Sequence, residues 1–127
     1  MIIKLLSTLK KWALPLVVVY TIALSVGSLI KLNDIPSIGS SFDDKIYHFI
    51  AYFLFTILGY NYCKVNKLNN PVLISAVVII IYGIIIEVMQ YVMTTYRSLD
   101  AYDVLANSLG AAFAALILIY RNKLKLK

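Results

Sequence analysis

The sequence predicts an all-α membrane protein with four transmembrane helices and both termini on the cytoplasmic side. Three observations predict it. Of 127 residues, 61% are hydrophobic and 14% charged, against roughly 45–50% apolar residues in a soluble domain, and the mean hydropathy is +0.85. So few charged groups could not cover a soluble core. The second observation is four apolar runs of similar length. The third is the partition of charge. All six acidic residues fall on one side: Asp34, Asp43 and Asp44 between the first two runs, Glu87 near the end of the third, Asp100 and Asp103 between the third and fourth. Nine of twelve basic residues fall on the other: Lys4, Lys10, Lys11, Lys64, Lys67, Arg121, Lys123, Lys125 and Lys127.

The runs are Trp12 to Ile30, Lys45 to Cys63, Pro71 to Met93 and Asp103 to Tyr120, each 18 to 23 residues long. A helix needs about 20 residues at 1.5 Å each to cross hydrocarbon. Backbone groups in lipid must satisfy one another within the segment, so these runs are helices and not strands. The expected organisation is one membrane domain over 1–127, with outer loops at 31–44 and 94–102. The first run has a basic lead-in and a small-x-small triplet at Ser25-Val26-Gly27, but it exceeds the ~7–15 apolar residues of a signal peptide. That length favours a retained helix.

The loop from Asn33 to Phe42 is rich in Ser, Gly and Pro. Asp43 or Asp44 is expected to cap the second helix, and Asp103 the fourth. Asn69-Asn70-Pro71 closes the inner hairpin, with Pro71 suited to the first helical position. The basic segments beside apolar runs place both termini and the second loop inside. The net charge of +6 is therefore an orientation signal, and nucleic acid is not an expected partner. A single cysteine, Cys63, excludes an intramolecular disulfide and a Cys-rich metal site.

The polar residues inside the runs share faces. Lys45, His48 and Tyr52 are three and four apart on the second helix; Glu87 and Gln90 are three apart on the third, with Tyr91 beside them; Asp103, Asn107 and Gly110 are four and three apart on the fourth. Counting about 1.5 Å per residue from the outer ends, Tyr52, Glu87 and Asn107 lie roughly 6–13 Å deep, and His48 about 5 Å. These groups can meet in one layer.

Each has a plainer reading. Asp43 and Asp103 serve as caps. Asn107 is an interhelical hydrogen-bond residue, and Gly110-x-x-x-Ala114 and Ala111-x-x-x-Ala115 are packing motifs. Tyr20, Tyr60 and Tyr120 are interface-belt residues. Glu87 resists a plain reading, because a carboxylate in hydrocarbon is costly and marks a functional position by default.

The ordered set Asp44-Lys45-x-x-His48-Phe49-x-x-Tyr52, Glu87-x-x-Gln90 and Arg97-x-x-Asp100-x-x-Asp103-x-x-x-Asn107-x-x-Gly110 resembles the VanZ-like family of small bacterial membrane proteins. The resemblance covers about Asp43 to Ala115. One departure is Ala114, where the family pattern has a second glycine; this touches helix packing more than chemistry. The family is named for a protein that confers low-level teicoplanin resistance, so the resemblance implies a multi-pass protein of the bacterial cytoplasmic membrane acting at the outer face.

The expected function is recognition or modification of a lipid-linked or surface-exposed envelope component, with an effect on glycopeptide susceptibility. The candidate catalytic residues are His48, Glu87 and Asp103. The candidate ligand-binding residues are Asp44, Lys45, Tyr52, Gln90, Arg97, Asp100 and Asn107. Lys45 and Arg97 are the phosphate partners. Expected partners are membrane lipid, a lipid-linked precursor or glycolipid headgroup, and a second copy of the chain. An alternative is an intramembrane hydrolase or transferase with Glu87 or His48 as general base. His48, Glu87 and Asp103 are also suitable donor types for a divalent metal. No cofactor is specified, and whether any reaction is catalysed stays open. A further alternative is a structural or partner-binding module; four helices are few for a transporter.

Overall fold

The structure is a computed structural model that describes residues 2–29, 43–93 and 101–125. Four helices account for almost all of them: α1 (Ile2–Leu29), α2 (Asp43–Val65), α3 (Pro71–Met93) and α4 (Ala101–Lys125). There is no strand among the described residues. α1 starts at Ile2 and not Trp12, and α4 runs to Lys125 and not Tyr120. The apolar run measures only the hydrocarbon-facing part of a helix. Lys and Leu at its ends are good helix formers, so the winding continues beyond it. α4 also starts at Ala101, which puts Asp103 inside the first turn and not at the cap.

Three segments are long and apolar enough to cross a membrane: Lys10–Leu29, Pro71–Met93 and Ala101–Leu124. α2, at 23 residues, carries Asp43, Asp44, Lys45, His48, Asn61 and Lys64 and is not among the three. Its place in the bundle accounts for this. α2 and α3 each pack against all three other helices, while α1 and α4 flank them without approaching one another among the described residues. The polar residues of α2 thus have helix neighbours to meet.

The tightest seam joins α2 to α4. A methyl group on Gly110 would fall on the carbonyl oxygen of Phe49. Ala111 and Ala114 are fully buried beyond it. These small residues let two backbones approach, as expected of the small-residue motif. An aromatic layer of Tyr20, Tyr52, Phe55 and Tyr82 fills the middle, with ring centroids 5.1 Å apart for Tyr20–Phe55 and 5.3 Å for Phe55–Tyr82.

Ala13 is the only buried residue among those described in α1. Hydrogen bonds tie this helix in place instead. Tyr20 Oη donates to the Ala51 carbonyl at 2.5 Å, and Ser25 Oγ lies 2.6 Å from Tyr82 Oη. Tyr20 is therefore not an interface-belt residue, and neither is Tyr60, which is 5% exposed with its hydroxyl on Asn122 Oδ1 at 3.2 Å. Each phenol found an internal partner, which a tyrosine in apolar surroundings requires. Tyr120, 65% exposed, fits the belt reading.

The α2–α3 turn ends α2 in a Schellman arrangement. Leu68 N donates to Cys63 O at 3.0 Å and Lys67 N to Lys64 O at 3.1 Å, with Lys67 left-handed at φ 57°. Glycine usually holds that position. Asn70, at φ 52°, leads into α3, where Ile74 N bonds its carbonyl at 3.0 Å. Pro71 takes the first helical position as expected.

Candidate functional site

The cluster is built on the seam between α2 and α4 and closed by α3. The turn spacing on α2 and α4 brings their polar residues opposite one another in pairs. Lys45 Nζ meets Asp103 Oδ1 at 2.5 Å. One turn deeper, His48 Nδ1 meets Asn107 Oδ1 at 2.7 Å. A turn further on α4, Gly110 meets the backbone at Phe49. The ladder runs from a charged pair at the mouth, through a neutral amide, to bare backbone contact.

Asn107 presents its oxygen to His48, so Nδ1 is the donor of that bond. The other ring nitrogen, Nε2, faces Asp103 Oδ2 at 3.8 Å. Both nitrogens of the imidazole are thus turned toward α4. The Lys45 side chain is 27% exposed, that of His48 16% and that of Asp103 8%. On α2, exposure falls from Lys45 at the mouth to His48 one turn in.

α3 contributes through Gly83 and Glu87, one turn apart on one face. A methyl at Gly83 would stand 2.9 Å from the Tyr52 ring and 3.3 Å from Asn107 Nδ2. Gly83 therefore lets Tyr52 and Asn107 converge on α3. Glu87 sits a turn nearer the mouth and is 2% exposed. Its Oε2 is buried and takes no hydrogen bond from the described residues. Gln90, also 2% exposed, turns to the other flank and donates from Nε2 to the Ser28 carbonyl at 2.6 Å.

Of the sequence-predicted site residues, Lys45, His48, Asp103 and Asn107 are thus in direct contact, and Tyr52 and Asn107 converge at Gly83. Glu87 and Gln90 are buried on α3, Gln90 on the α1 flank, whereas Tyr91 is 56% exposed and stands apart. The side chain of Asp44, and Arg97 and Asp100, lie outside the described residues. His48, Glu87 and Asp103 do not form a three-ligand metal group: no cluster of three His, Cys, Asp or Glu occurs among the described residues. His48 is spent on Asn107 and Asp103, and Asp103 on Lys45.

Sequence reasoning missed Gly83 and the α1 partners Ser25 and Ser28 as site neighbours, and read Phe49 only as part of the family pattern. Gly83 carried a readable signal, since it lies four residues before Glu87 on the same face. Backbone acceptors such as Ser28 O and Phe49 O carry none.

Four helices with apolar outer faces, three of them long and apolar enough to cross a membrane, and with ionisable groups buried between them at one end, have the character of a helical membrane protein. The chain belongs to the VanZ/LLP1 family, whose model matches residues 6–122. The family expectation drawn from the ordered motifs is borne out, and the match takes in α1 as well. The chain is 30% identical over 92 residues to a Schizosaccharomyces pombe protein named Uncharacterized protein C11E3.10, an overlap of 72% of this chain and 56% of that protein. The chain thus spans little more than half of that relative's length. A relative in fission yeast means that membership alone assigns neither a bacterial source nor glycopeptide resistance. No solved structure matches the chain.

Proposed function

We propose that the chain crosses the membrane four times with both termini inside, and that its polar cluster recognises the headgroup of an envelope component at the outer face. The class is a lipid-linked precursor or a glycolipid. Burial is the observation that carries this reading. Glu87 and Gln90 from α3 and Asp103 and Asn107 from α4 are all 6% exposed or less, and all lie toward the same end. Ionisable groups at membrane depth are costly, about 2.5–3.5 kcal/mol for Asp at a helix centre, and are kept where a site uses them. Lys45 and Arg97 would take phosphate oxygens. The carboxylates and amides would take sugar hydroxyls or amide hydrogens.

A second reading, an intramembrane hydrolase or transferase, draws support from the 3.8 Å approach of Asp103 to His48. With Nδ1 donating to Asn107, Nε2 of a neutral imidazole carries the lone pair that a general base needs. Recognition is favoured because both ring nitrogens already face protein oxygens. A purely structural module is the third reading, and it predicts that charge at Glu87 is dispensable.

The test is binding of a polyprenyl-phosphate-linked precursor, a glycolipid and teicoplanin to vesicles holding wild type, Glu87→Ala or Arg97→Ala. Binding of one probe to wild type, weakened in both variants, supports recognition. Undiminished binding by both folded variants would sink it. Turnover of the precursor or glycolipid by wild type would favour the enzyme reading.

A further inference from the structure

Inward of the aromatic layer lies a second feature, a cavity of about 370 Å³ between α1, α2 and α3. It falls within the roughly 300–1,000 Å³ range of small-molecule sites. Its walls include hydroxyl-bearing residues, yet these do not make it polar. Thr21 Oγ1 is turned back to the Val17 carbonyl at 2.7 Å. Ser75 Oγ donates to the Val72 carbonyl at 3.0 Å. Tyr82 Oη lies 2.6 Å from Ser25 Oγ. With these three groups satisfied internally, the wall formed with Val17, Phe55, Ile74, Val78 and Ile79 is mostly hydrocarbon, and an apolar cavity does not hold water.

Its depth fixes what surrounds it. Thr21 lies within the spanning segment of α1, and Ser75 and Tyr82 within that of α3. Val78 lines the cavity and is 57% exposed, so the cavity opens at Val78 to the outside of the bundle. At that depth the outside of the bundle is lipid tails. Along α2 the cavity extends from Phe55 to Cys63, about 12 Å at 1.5 Å per residue. The length suits a single chain and the three-sided wall excludes a packed helix.

We propose that this cavity binds one acyl chain of a membrane phospholipid, entering sideways past Val78. This site is separate from the polar cluster, with Tyr52, Phe55 and Tyr82 standing between them, and does not rest on the function proposed for that cluster. It anchors α1, which has little other buried surface, to α2 and α3 through the lipid.

The experiment uses the full chain in phosphatidylcholine vesicles containing a phosphatidylcholine with a diazirine midway along one acyl chain. After irradiation, adducts are mapped by peptide mass spectrometry. The expected adducts concentrate on the segments 55–63 and 74–82, with Cys63 and Ser75 labelled above the lipid-facing Val19 and Val92. Val78→Trp, filling the mouth from α3, and Val17→Trp, filling it from α1, each lower labelling of Cys63 several-fold. Val77→Trp, off the cavity wall, leaves it unchanged. Because the two filling variants enter from different helices, a folding failure in one leaves the other to decide. Labelling that follows surface exposure in the wild type, or that stays at Cys63 in a folded filling variant, overturns the proposal.

Discussion

Gly110 of α4 rests against the carbonyl oxygen of Phe49 in α2, with no room for a side chain between them. This contact sets the spacing of the two helices that carry Lys45, His48, Asp103 and Asn107. A methyl group here meets backbone, which cannot rotate away. Overpacking costs about 1–3 kcal/mol where side chains can adjust, so Gly110→Ala is expected to reach or exceed the upper end. Gly27 has nothing within 4 Å of its added methyl, and Gly27→Ala is expected to be neutral or to stabilise by up to about 1 kcal/mol. Thermal unfolding of both variants in one detergent checks the contrast.

The Lys45–Asp103 pair should reveal itself by asymmetry. Removing one partner of a fully buried pair costs about 3–5 kcal/mol. Lys45 is 27% exposed, which screens the pair, so Asp103→Asn is expected to cost nearer about 1–2 kcal/mol. Combining it with Lys45→Met should recover part of that loss, because no charge then stands alone. A double-mutant cycle on unfolding in mixed micelles measures the coupling; additive losses would remove the pair from the account.

Lys67 adopts φ 57° at the end of α2, where a β-carbon costs about 1–2 kcal/mol. Lys67→Gly is expected to stabilise the α2–α3 hairpin by up to about that amount, less the backbone entropy that glycine loses on folding. A rise in midpoint temperature with unchanged helical content is the expected result.

Gly83 separates positioning from charge at the site. Gly83→Ala adds one methyl 2.9 Å from the Tyr52 ring and 3.3 Å from Asn107 Nδ2. Tyr52 can shift as a side chain, so the protein should fold, with a loss of about 1–3 kcal/mol. Ligand binding should weaken with it. If binding by folded Gly83→Ala matches wild type, the ligand does not use the Tyr52–Asn107 layer.

Periodicity made much of this legible. Spacings of three and four put Lys45, His48 and Tyr52 on one face and Asp103, Asn107 and Gly110 on another, and those faces do meet. Run length located the helices but clipped α1 and α4, because helical winding outlasts hydrophobicity. The tyrosines misled for the opposite reason. A tyrosine's place in the sequence cannot show whether its phenol meets water or a buried acceptor, and Tyr20, midway along the first run, and Tyr60 both meet acceptors. Asp103 read as a cap because capping is a local pattern, while its partner Lys45 is 58 residues away. Pairings across helices and backbone acceptors such as Ser28 O depend on tertiary geometry that no local pattern encodes.

The central claim is that the buried charge at Glu87 and the imidazole of His48 serve a ligand. Wild type, Glu87→Gln and His48→Ala, purified in lipid nanodiscs, can be compared by native mass spectrometry for bound lipid or headgroup species. Gln keeps the size and hydrogen-bonding reach of Glu87 and removes only its charge. The account predicts one species that co-purifies with wild type and is lost from both folded variants, its mass naming the headgroup class. The same species retained at wild-type occupancy in both variants, or no species on any of the three folded proteins, would contradict it and leave the cluster as the means by which α2, α3 and α4 hold together.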